Sequence, residues 1–97
     1  MYQIPQSVQI FGHSVQVIEQ PELKAPDGGD LLGRYTHSKG LIEFNSGMID
    51  SLKPTTVLHE IIEAIDRHAD LKMNHTQITT LASSLAQAFA TSVYSSN

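Results

Sequence analysis

The pentapeptide His59-Glu60-Ile61-Ile62-Glu63 sets an imidazole and two carboxylates into an otherwise apolar stretch that runs from Val57 to Asp66. On a helix, His59 and Glu63 project from one face a single turn apart, close enough to share a divalent ion. Glu60, one residue after the histidine, stands where a carboxylate can take a proton from water polarised by such an ion. The pattern is one letter away from H-E-x-x-H, in which the second ligand is also a histidine. Two metal ligands (His59, Glu63) and a catalytic general base (Glu60) are thus in place.

A catalytic zinc ordinarily takes three protein ligands, and two histidines with one glutamate is an established set. With Glu63 as the carboxylate, the remaining ligand should be a histidine, and His75, just beyond the end of the motif helix, is the first candidate. At about 1.5 Å rise per residue, Glu63 lies roughly 7 to 10 Å below that end, so a second helix must cross closely for His75 to reach. Asp66, on the same stripe as His59 and Glu63, and His37, in a turn, are the alternatives. Oxygen-rich ligation admits manganese or iron as well as zinc.

His68 projects from roughly the opposite side of the helix to His59 and suits its C-terminus, where a partly positive imidazole is favoured. His13 and His37 read as turn residues. Asp27 and Asp30 lack the spacing of a calcium loop and read as a solvated segment. The plainer account of the whole stripe is that His59, Glu63, Asp66 and Arg67 are the solvated side of an amphipathic helix.

The elements that must position these groups define an α+β domain spanning residues 1–97. In residues 7–19, Val8 and Ile10, then Val15 and Val17, alternate with polar residues around a turn at Gly12-His13-Ser14, which is the period-two pattern of a hairpin. Residues 20–30, with Pro21, Pro26, Asp27, Gly28 and Gly29, form an irregular and mobile excursion. Leu32–Thr36 and Leu41–Phe44 flank His37-Ser38-Lys39-Gly40 as a second hairpin, so that residues 7–45 are expected to make a small antiparallel meander.

Residues 45–53 connect to a helix over 54–69, started by Pro54, whose missing N–H is not needed at the first helical position. Val57, Leu58, Ile61, Ile62, Ala64 and Ile65 share its core arc. After a reversal, Asn74 and Gln77 have the capping-box spacing, and Ile78, Leu81, Ala82, Leu85, Ala88 and Phe89 give a second helix, over 75–92, its buried stripe.

Six basic against ten acidic residues give a formal charge of -4 with no basic cluster, so the footprint of a nucleic-acid binder is missing. The absence of cysteine excludes disulfides and thiolate zinc sites. No apolar run approaches membrane-spanning length, and the N-terminal residues have no signal-peptide pattern. A soluble cytoplasmic protein without membrane association is expected.

The layout of hairpins, the strand Leu41-Ile42-Glu43-Phe44, the helix Thr56 to Asp66 and a second amphipathic helix resembles the minimal zincin-like proteins of phages and prophages, which look like distant, stripped-down relatives of the ImmA/IrrE metallopeptidases. The resemblance spans residues 8–90 in layout and is specific over 56–66. It implies zinc ligation at the position of His59 and a general base at Glu60. The family's second histidine falls on Glu63, and its downstream glutamate has no counterpart, because Ala82 and its neighbours occupy that place.

Two functions follow. One is a metal-dependent peptidase or other hydrolase, acting on a peptide or protein in the cytoplasm of a bacterial host. The alternative is a non-catalytic binding module that regulates a host or phage protein by occupation.

Overall fold

The computed structural model of the protein describes residues 4–91. Strands β1 (Ser7–Ile10) and β2 (His13–Gln20) form an antiparallel hairpin with Ile10 opposite His13. Its loop is therefore two residues, Phe11 and Gly12, both at positive φ (50° and 80°). That is the geometry of a primed turn, which fits the twist of the flanking strands. The turn sits earlier than Gly12-His13-Ser14, because phenylalanine in a left-handed conformation is not a turn signal that sequence offers.

Strands β3 (Gly33–Thr36) and β4 (Leu41–Asn45) form the second hairpin as expected, closed by a short 3-10 turn over His37–Lys39 and by Gly40 at φ 56°. The sheet order is β1-β2-β4-β3, with β2 and β4 parallel. The sheet is thus mixed, and the expected antiparallel meander is corrected. A parallel neighbour needs a long crossover, and residues 21–32 together with β3 supply it. They carry the chain past β2 so that β4 returns between β2 and β3.

Strand β4 is suited to that inner position, because Ile42, Glu43 and Phe44 are buried in succession, on both faces of the sheet. Glu43 is buried as a charge with partners: Arg34 Nη2 donates to its Oε1 at 2.9 Å and Gln20 Nε2 to its Oε2 at 3.0 Å. Such pairing is the condition for burying a carboxylate. The excursion is anchored by buried Leu23, by a bridge between Lys24 and Asp30, and by the Lys24 carbonyl, which accepts from Arg34.

Helix α1 (Lys53–Ala69) follows a 3-10 turn at Asp50–Leu52 and has Pro54 in its first turn. Its broad apolar arc serves two partners. Val57 and Ala64, with Ile61 and Ile65, pack on Ile10, Val15, Val17, Ile42 and Phe44 of the sheet. Leu58 and Ile62 pack on Ile78 and Ala82 of helix α2 (His75–Ala90). The order of layers is sheet, α1, α2.

The helix α1 ends at Asp70, which takes a left-handed conformation. Asp66 Oδ1 then accepts from the Met73 backbone N–H at 2.9 Å, which ties down the reversal. Asn74 and Gln77 form the capping box, each side chain accepting from the other's backbone N–H. Helix α2 ends at Ala90 with Thr91 as its C-cap, short of the expected end at residue 92, which itself lies outside the described residues. Among the described residues no helix is long and apolar enough to cross a membrane.

Candidate metal centre

Helix α1 fixes His59, Glu60 and Glu63 at spacings that put all three on the flank between its two buried faces. His59 Nε2 and Glu63 Oε1 lie 3.1 Å apart. One ligand atom from each of His59, Glu60 and Glu63 lies within 4.8 Å of the other two. His59 and Glu63 are partly exposed, whereas Glu60 is buried.

Glu60 sits where β3, the edge strand, passes closest to α1. A Cβ on Gly33 would meet Thr56 Cγ2 at 2.8 Å, Glu60 Cγ at 3.1 Å and Glu60 Oε2 at 3.2 Å. The absence of a side chain at Gly33 is what lets strand and carboxylate share this space. Burial drives the Glu60 carboxyl pKa up from 4.5 to about 8, and the neighbouring Glu63 carboxylate adds to the rise. A hydrogen bond from the Tyr35 backbone N–H works in the opposite direction. A group so placed is a weakly acidic proton carrier near neutral pH, the property sought in a general base or acid.

His59 and Glu60 open onto a cleft of about 360 Å³ between β3, α1 and α2, lined also by Leu32, Gly33, Thr56 and His75. His75, the first residue of α2, has its ring centroid 5.3 Å from that of His59, the planes inclined at 57°. The close helix crossing required for its approach is therefore present. The three atoms already gathered include Glu60 Oε rather than a His75 nitrogen, and His75 Nε2 lies 3.4 Å from Thr79 Oγ1.

The two alternatives for a third ligand are elsewhere. Asp66 is engaged with the Met73 backbone, and His37 is gathered with Tyr35 and His68. His68 does not cap α1: its ring contacts Tyr35, His13 and His37, because it stands a half-turn from His59, toward the sheet. His37 lies in the 3-10 turn, as expected, and His13 opens β2 just after its tight turn, and both rings also lie against His68.

The donor set fits a divalent cation. It offers one imidazole and two carboxylates, and Glu60's burial makes its negative charge costly unless a proton or a cation accompanies it. Gly33 and the Tyr35 backbone were the parts of this site that sequence reasoning missed. A glycine opening a strand signals close approach only weakly, and a backbone donor has no sequence signature. Comparison with known proteins finds no matching family model, no similar curated protein and no similar solved structure.

Proposed function

We propose that the protein is a divalent-metal-dependent hydrolase of minimal, zincin-like design, acting on peptides or related carbonyl substrates. His59 and Glu63 would hold the ion, with His75 as third ligand from the facing helix and Glu60 as the proton-transferring group. The observation that carries this reading is the position of Glu60, buried at the cleft beside His59 and Glu63 with its pKa raised to about 8.

A bound zinc, manganese or iron supplies Lewis acidity toward a carbonyl oxygen and toward water. The charge of the ion would favour the ionised form of Glu60, which would then accept the proton from water at a carboxylate oxygen and return it to the leaving group. Its low acidity favours holding that proton between the two transfers. His59 and Glu63 orient each other through their shared contact. Strand β3 lies at the sheet edge beside the cleft, where an extended peptide can add as a further strand.

A second reading, a binding module without turnover, is favoured by a different observation. Leu81, Leu85 and Phe89, at helical spacing on α2, are each more than a third exposed, although their pattern resembles a core stripe. Such an apolar row suits a protein partner.

One set of preparations separates the two. Protein purified without chelator or affinity-column metal should carry about one equivalent of metal, and His59→Ala little. Glu60→Gln should keep the metal yet hydrolyse peptide substrates roughly 100-fold more slowly or worse. Metal-free wild type that zinc or manganese does not stabilise would overturn both the site and the hydrolase. Metal retention without any hydrolysis would leave the binding module.

A further inference from the structure

A second group of histidines lies on the other side of α1, built from three separate elements. His13 follows the tight turn between β1 and β2, His37 opens the connection between β3 and β4, and His68 is in the last turn of α1. The three rings form a row with His68 in the middle. The His68 and His13 centroids are 4.9 Å apart with planes nearly parallel at 15°, and those of His68 and His37 are 4.6 Å apart at 54°.

Tyr35 links two of them. Its hydroxyl oxygen lies 3.0 Å from His37 Nδ1 and 3.2 Å from His68 Nε2. A hydroxyl carries one proton, so it donates to one of these nitrogens and accepts an N–H from the other. Two imidazole nitrogens on different elements are thereby already aimed at a single point.

No carboxylate among the described residues is ion-paired or hydrogen-bonded to His13, His37 or His68. The nearby ionisable neighbours of His68 are His13, His37 and Arg67, all of which oppose its protonation. Neutral imidazoles are the ligand form of histidine. A row of them without an anion is chemically unlike the carboxylate-rich group at His59.

We propose that His37 and His68, joined by His13, form a second metal site, selective for a borderline dication such as Ni²⁺, Cu²⁺ or Zn²⁺. An ion seated between His37 Nδ1 and His68 Nε2 would take the place of the two hydrogen bonds through Tyr35: the ring that donated its N–H shifts that proton to its other nitrogen, and the phenol keeps its own proton, displaced or retained as a further donor. His13 is stacked on His68, and a stacked ring does not direct its lone pair at its neighbour's ion. It joins by rotating about its own side-chain bonds, which its exposure permits. Imidazole-only ligation favours nickel and copper over manganese, which prefers oxygen donors. The two centres would therefore sort metals by hardness.

The test uses the untagged full chain carrying His59→Ala and Glu63→Ala, which removes the first centre, with circular dichroism to confirm folding. Titration with Ni²⁺ alone should show about one bound equivalent by calorimetry and shift the ring resonances of His37 and His68. Adding His37→Ala, at an exposed position, should weaken binding by at least an order of magnitude. No nickel binding, or binding indifferent to His37→Ala, overturns the proposal and leaves the row as packing at the helix end. Should the double variant unfold, His37→Ala in the wild-type background must remove one of two nickel equivalents. Failure there counts equally against the site, and neither result bears on hydrolysis at Glu60.

Discussion

The two histidine centres lie on opposite sides of one helix, and they differ in how they were assembled. His59, Glu60 and Glu63 come from a single turn of α1, are rich in carboxylate, and centre on a buried acid. His13, His37 and His68 come from three elements, include no carboxylate, and centre on a half-buried imidazole bonded to Tyr35. The first concentrates negative charge in a low-dielectric cleft, so a proton or a cation relieves it. The second crowds bases together at the surface, where burial and then the neighbouring His37 and His13 oppose a proton on His68. The same helix thus presents one centre that resists giving up its proton and one that resists taking it.

That contrast makes the pH dependence of stability opposite at the two centres, and the larger effect belongs to Glu60. In metal-free protein its folded pKa of about 8 lies above the unfolded value near 4.5. Between those values the native state binds the proton that the unfolded state has released. Stability therefore falls as pH rises through this window. Glu60→Gln, which cannot ionise, should flatten the slope and raise the urea midpoint at pH 8.5, by on the order of a few kcal/mol in unfolding free energy. An unchanged slope in the variant would mean that Glu60 is hydrated and would remove its claim to be a tuned proton carrier.

A smaller effect tests the geometry rather than the charge. Gly33→Ala places a methyl group against Thr56 and Glu60 at contacts that demand movement of the strand or the helix. Overpacking of this kind typically costs about 1 to 3 kcal/mol. The expected result is a lowered unfolding midpoint together with weaker binding of zinc or manganese at the first centre, and unaltered nickel binding at the second. Equal loss of metal at both would show that the variant damages the whole sheet and says nothing specific about the cleft.

The difference in assembly also decides what could be read from sequence. The triad at His59 was legible because one helix fixes the positions of residues one and four apart, and Pro54, the apolar arc and the Asn74–Gln77 box defined both helices nearly to their ends. His75 could be placed near His59 because a short reversal leaves the second helix little choice. The parallel pairing of β2 with β4 was not legible, since period-two alternation identifies a strand without naming its neighbour. The consecutive burial of Ile42, Glu43 and Phe44 is disguised by the glutamate. Residues 20–30 looked mobile because their turn residues are visible and the burial of Leu23 is not. His13, His37 and His68 looked like isolated turn and cap residues, because their meeting depends on that same sheet order and on the side of α1 that faces it.

The smallest expected effect lies at the acid end, where His68 gives the contrast its other half. Its pKa is pushed below 6.5 by desolvation first, then by His37, His13 and Arg67. A lowered folded value means that below pH 6.5 the unfolded chain binds a proton that the native state refuses, so stability is lost as pH falls through that range. Glu60 titrates over the same range with the opposite sign, so the quantity to measure is the difference that His68→Gln makes in a Glu60→Gln background. In that background the urea midpoint should fall less with His68→Gln than without it between pH 7.5 and 5.5. His13→Ala, which removes one repelling neighbour, should give an intermediate loss. Bound nickel would hold the three rings unprotonated, so the nickel-loaded protein should lose its stabilisation over the same interval as protons displace the metal. If His68→Gln leaves the acid limb unchanged, the rings do not share the proton economy on which the contrast with Glu60 rests, and the two sides of α1 differ in composition alone.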